Sequence, residues 1–304
     1  RAALSALKQL PGLDQVVKQL IGLTTEKSLR LISMASAARA SDRQFSRVYR
    51  LLQDACYLLD WSEKPEVYVA QSPIMNAGAA GVEHPFITIN SALVDSLDDA
   101  ELLAVISHEL SHIMSGHVLY KTLLWLLINA SQAALQVPLT GVALQGLIGA
   151  LREWDRKSEL SADRASLLSV QDERPMYSLL MKVAGGTEGE LVLEEFLAQA
   201  AEYEEGGTVV DSVHKLLNVL GKSHPFPVIR LKELKVWRDS GAYQEILAGS
   251  YRRRSEKNDP KLEFEDAFAS YKEELSHTKD PLGQTLNKVE EANKKVLDSF
   301  VKPA

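Results

Sequence analysis

His108-Glu109-Leu110-Ser111-His112 is the stretch that decides how this chain is read. Residues four apart on an α-helix lie one turn apart on one face, so the two imidazoles converge on one point. That geometry suits two corners of a tetrahedral zinc site. Glu109 lies about 100° around the helix from His108, off the ligand pair but within reach of a water held by the metal. Water, metal and carboxylate together are the apparatus of metal-assisted peptide hydrolysis.

The flanking residues predict the helix that this argument needs. Asp98, Asp99 and Glu101 precede an apolar-periodic run, as acids do at a helix N-terminus. With Asp98 as N-cap, Glu101 occupies N3 and completes an acidic capping box. Leu102, Leu103, Val105, Ile106, Leu110 and Ile113 recur at helical spacing and supply a buried face, and Gly116 is a natural stop. Two buried histidines without a shared partner are costly, whereas a metal satisfies both.

A catalytic zinc needs a third protein ligand and an open position. The stretch Arg152–Arg164 reads as a second helix on which Glu159 and Asp163, four apart, share a face. Read alone, that pair is better explained by a solvated face partnered by Arg156 and Arg164. H-E-x-x-H followed by Glu159-Leu160-Ser161-Ala162-Asp163 resembles the HtpX and CAAX-prenyl-protease family of gluzincin metallopeptidases. The resemblance implies that Glu159 is the third zinc ligand. It also implies that Asp163 orients a ligand imidazole from behind, as metal-bound histidines usually require.

Further stretches extend the resemblance over roughly residues 60–235. Glu66–Ser72 and Phe86–Asn90 are rich in β-formers and predict strands. Between them, Asn76, Ala77, Gly78 and Ala79 match the family's exposed edge strand, along which an extended substrate lies. Small residues there let a second backbone approach and pair by β-augmentation; taken alone, the same residues read equally well as a Gly-rich turn. Gly78 stands where the family often carries an aromatic. Ser223-His224-Pro225-Phe226-Pro227-Val228-Ile229-Arg230 resembles the family's His-Pro segment, which implies His224 as a stabiliser of the oxyanion and Arg230 as its support. His117, just past Gly116, is expected at the surface or behind the ligands rather than as a fourth ligand. His84, His214 and His277 have no companion at ligand spacing.

Composition bounds the rest. The 304 residues are 45% hydrophobic and 25% charged, enough for a sizeable core. The net charge of −7 leaves no basic footprint, so no nucleic-acid partner is expected. The single cysteine, Cys56, excludes a disulfide framework and a multi-cysteine zinc site. From Thr122 to Leu151 there is no charged residue, yet Pro138 and Gly141 divide the stretch into pieces too short to span a bilayer. A packed helical hairpin is expected there, with a lid or a membrane-surface contact as alternatives. The chain begins at Arg1, so a processed piece that has lost a targeting segment is expected, from the cytoplasm or a membrane-associated location.

The expected architecture is α+β and mostly helical, of gluzincin type, with a small antiparallel sheet beside the H-E-x-x-H helix. Residues 1–60 form a helical segment, 61–235 the metallopeptidase core and 236–304 a helical extension. The expected activity is zinc-dependent endopeptidase action on a polypeptide substrate with one catalytic Zn²⁺. A latent or non-catalytic scaffold that keeps the fold with its cleft blocked, and a helical protein with an accidental motif, are the alternatives.

Overall fold

The structure is a computed structural model that describes residues 26–81, 84–129, 141–185, 189–205 and 226–251. Helix α1 (Glu26–Ser36), strand β1 (Ala38–Arg39) and helix α2 (Ser46–Leu58) lead into strands β2 (Glu66–Ala70), β3 (Ala77–Ala80) and β4 (Phe86–Asn90). Helices follow: α3 (Ser91–Ser96), α4 (Asp99–Met114), α5 (His117–Asn129), α6 (Gly141–Val170), α7 (Glu173–Gly185), α8 (Leu193–Glu205), α9 (Pro227–Asp239) and α10 (Ala242–Leu247). The helical majority and the small sheet are as the residue patterns predict. Gly185 ends α7, and Pro227 opens α9, where its missing N–H leaves no helical hydrogen bond unmade.

The sheet differs from the expectation in one respect: it is mixed, not antiparallel. Its order is β1-β2-β4-β3; β1 pairs antiparallel with β2 and β3 antiparallel with β4, but β2 and β4 run parallel. A parallel pair needs a connection of about a dozen residues or more, and residues 71–85 supply it, with β3 inside it. The parallel pair is the most buried part of the sheet, through Val67, Tyr68 and Val69 on β2 and Phe86, Ile87 and Ile89 on β4. The small-residue strand β3 is left at the edge.

Helix α4 runs through the core with Leu102, Ala104, Ile106 and Leu110 fully buried. At about 1.5–3 kcal/mol for each large aliphatic side chain, that face alone anchors the helix against α2 and β3. Its start is fixed as the sequence predicts. Asp98 Oδ1 accepts from Glu101 N at 2.8 Å, and Glu101 Oε2 accepts from Asp98 N at 2.9 Å. Glu101 is also held by Lys182 Nζ at 3.0 Å and Ser178 Oγ at 2.5 Å, which ties α7 to the cap. The helix ends at Gly116, whose φ of +65° suits glycine. In the N-terminal segment Leu51 and Leu52 are buried as expected, while Ile32 and Leu58 are exposed.

Two compact units divide the chain. One comprises residues 1–20, 123–155 and 252–304; the other, 21–122 and 156–251. In the first, Leu123, Leu124, Leu127, Leu151 and Trp154 are buried. Most of the uncharged stretch lies here; its residues 130–140 are outside the described residues, as is much of the C-terminal extension. No helix among the described residues is long and apolar enough to cross a membrane. Every side chain of the candidate site belongs to the second unit.

Candidate metal centre

Helix α4 places His108 and His112 one turn apart on its buried side, and α6 brings Glu159 to meet them. All three are buried, Glu159 completely. The two Nε2 atoms lie 3.2 Å apart, His108 Nε2 lies 3.3 Å from Glu159 Oε2, and His112 Nε2 lies 3.2 Å from Glu159 Oε1. Ligands about 2.0–2.1 Å from a tetrahedral ion stand about 3.3–3.4 Å from one another. The donor set therefore fits a zinc-sized ion both in chemistry and in spacing, and among the described residues this is the group that could hold a metal.

Each imidazole is also gripped from behind. His108 Nδ1 lies 3.1 Å from Asp163 Oδ1, one turn along α6 from Glu159. Asp163 in turn receives both arms of Arg230 on α9, Nε to Oδ2 at 2.8 Å and Nη2 to Oδ1 at 2.5 Å. Burial opposes the Asp163 carboxylate, but the Arg230 guanidinium and the His108 hydrogen bond outweigh it and hold its pKa down at about 2. The solvated-face alternative for Glu159 and Asp163 does not hold: both are buried, and the Arg164 guanidinium lies over the Trp237 ring instead, 5.4 Å from its centroid.

Of the two places expected for His117, at the surface or behind the ligands, the structure shows the second. His117 Nδ1 lies 3.1 Å from His112 Nδ1. On a continuous helix His117 would not face His112, but the left-handed turn at Gly116 ends α4 and starts α5 at His117, returning the ring toward the ligands. One turn on, Lys121 Nζ donates to Glu159 Oε1 at 2.5 Å, a second contact without a signal in the motif. Burial lowers His112 to about 3 and His117 to about 4, so both are neutral at pH 7. His108 differs: burial works against its cation, yet the hydrogen bonds to Asp163 and Glu159 prevail and raise it to about 9.

Glu109 is buried beside the cluster, and burial pushes its carboxyl above the usual range. It lines a cavity of about 380 Å³ together with His108, Asp163, Arg230, Asn76 and Ala77. Ala77 opens the edge strand β3, whose Gly78 and Ala79 pair with Thr88 and Ile87 of β4. A Cβ on Gly78 would meet nothing within 4 Å, so the edge strand is open at that position. Phe226 and Pro227 also line the cavity; His224, just before them, lies outside the described residues.

A zinc-sized donor set on two helices, backed by carboxylate and imidazole and opening onto a cavity beside an edge strand, defines a metallopeptidase-type core. The sequence model of peptidase family M48 matches residues 42–238. This chain belongs to peptidase family M48. It is similar to the plastoglobule-localized metallopeptidase 48, chloroplastic, of Arabidopsis thaliana, 34% identical over 254 residues that cover 81% of this chain and 73% of that protein. It is also similar to a protease HtpX homolog of Helicobacter pylori strain Shi470, 26% identical over 179 residues, 51% of this chain and 57% of the relative. A protease HtpX homolog of Bacillus subtilis strain 168 is 34% identical over 85 residues, 27% of each chain. The chain thus spans little more than half the length of the Helicobacter relative and about a quarter of the Bacillus one.

Proposed function

We propose that this chain is a zinc-dependent endopeptidase in which His108, His112 and Glu159 hold one zinc ion. The observation that carries the reading is the cluster of donor atoms, the two Nε2 atoms 3.2 Å apart and each 3.2–3.3 Å from one oxygen of the Glu159 carboxylate, with Glu109 the next residue along from His108. A bound zinc supplies Lewis-acid polarisation of the scissile carbonyl and acidifies the attacking water. Glu109 takes the proton from that water and delivers it to the leaving amine, a task suited to a carboxyl whose pKa burial has raised. Asp163 and Arg230 keep the proton of His108 on Nδ1, so that Nε2 presents its lone pair. An extended substrate adds to the edge of β3 at Asn76, Ala77, Gly78 and Ala79, and His224 donates to the oxyanion from the segment before α9.

Zinc analysis combined with cleavage of an unfolded protein tests this reading. The wild-type chain is expected to hold one zinc ion and cleave, and Glu109→Gln to hold zinc and lose cleavage by a factor of at least about 100. Equal cleavage by the variant refutes the role of Glu109. Zinc without cleavage in the wild type favours the latent or scaffold reading instead. Location is proposed on similarity and composition together. The Arabidopsis relative is named for plastoglobules, and the uncharged stretch 122–151, in which Ile128 is exposed while Leu123, Leu124, Leu127 and Leu151 are buried, is the part of this chain proposed to meet a lipid surface.

A further inference from the structure

Each proposed metal ligand is held from behind, and for Glu159 the holder decides more than position. His108 leans on Asp163 and His112 on His117. Glu159 leans on Lys121, whose Nζ lies 2.5 Å from Oε1. Lys121 is four residues past His117, so one face of α5 backs two of the three ligands. The carboxylate is wholly buried, whereas the Lys121 side chain is 21% exposed. Glu159 turns both of its oxygens to the donor cluster, Oε2 3.3 Å from His108 Nε2 and Oε1 3.2 Å from His112 Nε2. By those distances alone the carboxylate can grip an ion with one oxygen or with two. Lys121 breaks that symmetry, because its ammonium sits against Oε1.

We propose that Lys121 is a positioning residue that makes Glu159 a one-oxygen ligand, with Oε2 on the metal and Oε1 on the ammonium. The inference rests on the zinc reading above and goes beyond it, to what keeps the remaining metal position open. An oxygen that accepts from a cation at 2.5 Å has less charge to offer a second cation. The ammonium and a divalent ion sharing that oxygen would also repel one another strongly in a buried site. Oε2 is the oxygen left for the metal. A carboxylate bound through both oxygens would fill the position that a catalytic zinc leaves for water. Among the described residues the cavity is lined by His108 and Glu109 but not by Lys121, so Lys121 acts through its carboxylate partner and not on a substrate.

The test loads the full chain with cobalt(II), whose visible absorption is strong in a tetrahedral site and weakens as further atoms bind. Wild type is expected to show the strong bands. Lys121→Met is uncharged and similar in length; it leaves Oε1 to turn onto the metal, and the bands are expected to fall about threefold. Lys121→Arg restores a donor cation and is expected to recover them to within about 1.5-fold of wild type. With zinc and an unfolded-protein substrate, kcat of Lys121→Met is expected to fall about tenfold while KM stays within about twofold, because a filled water position harms turnover and not substrate binding. Unchanged bands in Lys121→Met overturn the proposal, as does loss of cobalt by a variant that still folds. Where Lys121→Met does not fold, X-ray absorption of the zinc-loaded wild type decides: about four atoms bound to zinc support a one-oxygen Glu159, and about five overturn it. A wild type that takes up neither metal sinks the metal centre and this inference together. Bound metal without cleavage removes only the peptidase reading, and the spectra still decide the role of Lys121.

Discussion

Replacing His117 by Ala tests whether a residue outside the motif shapes the metal site. His112 and His117 are both neutral at pH 7, and their Nδ1 atoms lie 3.1 Å apart, so one proton is shared between the two nitrogens. A metal at His112 Nε2 requires that proton on His112 Nδ1, which makes His117 the acceptor. The Ala variant leaves the His112 N–H facing the space of the lost ring. Losing one partner of a buried hydrogen bond costs about 1–3 kcal/mol. At about 1.4 kcal/mol for each factor of ten, that predicts zinc binding weakened about 5- to 140-fold. Asn offers an amide oxygen close to the position of Nδ1, so His117→Asn is expected to recover affinity to within about threefold of wild type. His117→Gln places its oxygen one carbon further out and is expected to behave like Ala. Competition with a fluorescent zinc chelator measures the affinities, and the melting temperature of the metal-free proteins reports on folding. Unchanged affinity in His117→Ala refutes the reasoning; equal losses in Ala and Asn show that ring volume, not the hydrogen bond, is what matters.

Two further perturbations follow from the buried charges. His108, raised to about 9 without metal, must give up a proton when zinc binds, so binding at pH 7 is expected to release about one proton. Calorimetry in buffers of different ionisation enthalpy measures this, and zero release would contradict the assignment. The same raised value fixes the sign for the metal-free fold. Its contribution to stability is fully present below the ordinary imidazole value of 6.5 and is lost as pH rises through about 9, so the melting temperature falls across that window. Lys182→Met strands Glu101, which is 2% exposed, although Asp98 N and Ser178 Oγ still donate to it. A loss of about 3 kcal/mol in denaturant unfolding is expected, and a loss under about 1 kcal/mol would mean that the pair stabilises nothing.

Local signals of cap, period and motif were legible because they act within one helical turn. The Asp98–Glu101 box, the buried face of α4 and the Glu159–Asp163 face all lie where residue spacing puts them. Strand identity was legible too, but strand direction was not. Val67 and Ile87 sit in register between parallel neighbours because of the path of residues 71–85, and nothing in the β-forming pattern of either strand encodes that path. Amphipathic spacing likewise marks an apolar side without saying what covers it, which is why Ile32 and Leu58 are exposed. His117 was legible only in part: a place behind the ligands was one of two expectations, but its contact with His112 was not foreseen. Its placement was judged by extending α4, whereas a glycine at φ +65° cancels that extrapolation and starts a new axis. Glycine followed directly by a polar residue and an apolar run was the available signal.

Charge balance explains why these distant residues belong to one device. Around the donor set lie three buried carboxyl groups, Glu109, Glu159 and Asp163, and two basic side chains, Arg230 and Lys121. With Glu109 ionised, the protonated His108 makes the count neutral, which matches its raised pKa in the absence of a metal. Exchanging that single proton for a divalent ion leaves the cluster with one formal positive charge. That surplus favours the negative charge that develops on a carbonyl oxygen under attack, in a water-poor site where such interactions are strong. On this argument Lys121 and Arg230 are not interchangeable with neutral residues of similar shape, because removing either lowers the surplus to zero. The motif names the ligands, and the residues brought in from α5 and α9 set the charge at which those ligands operate.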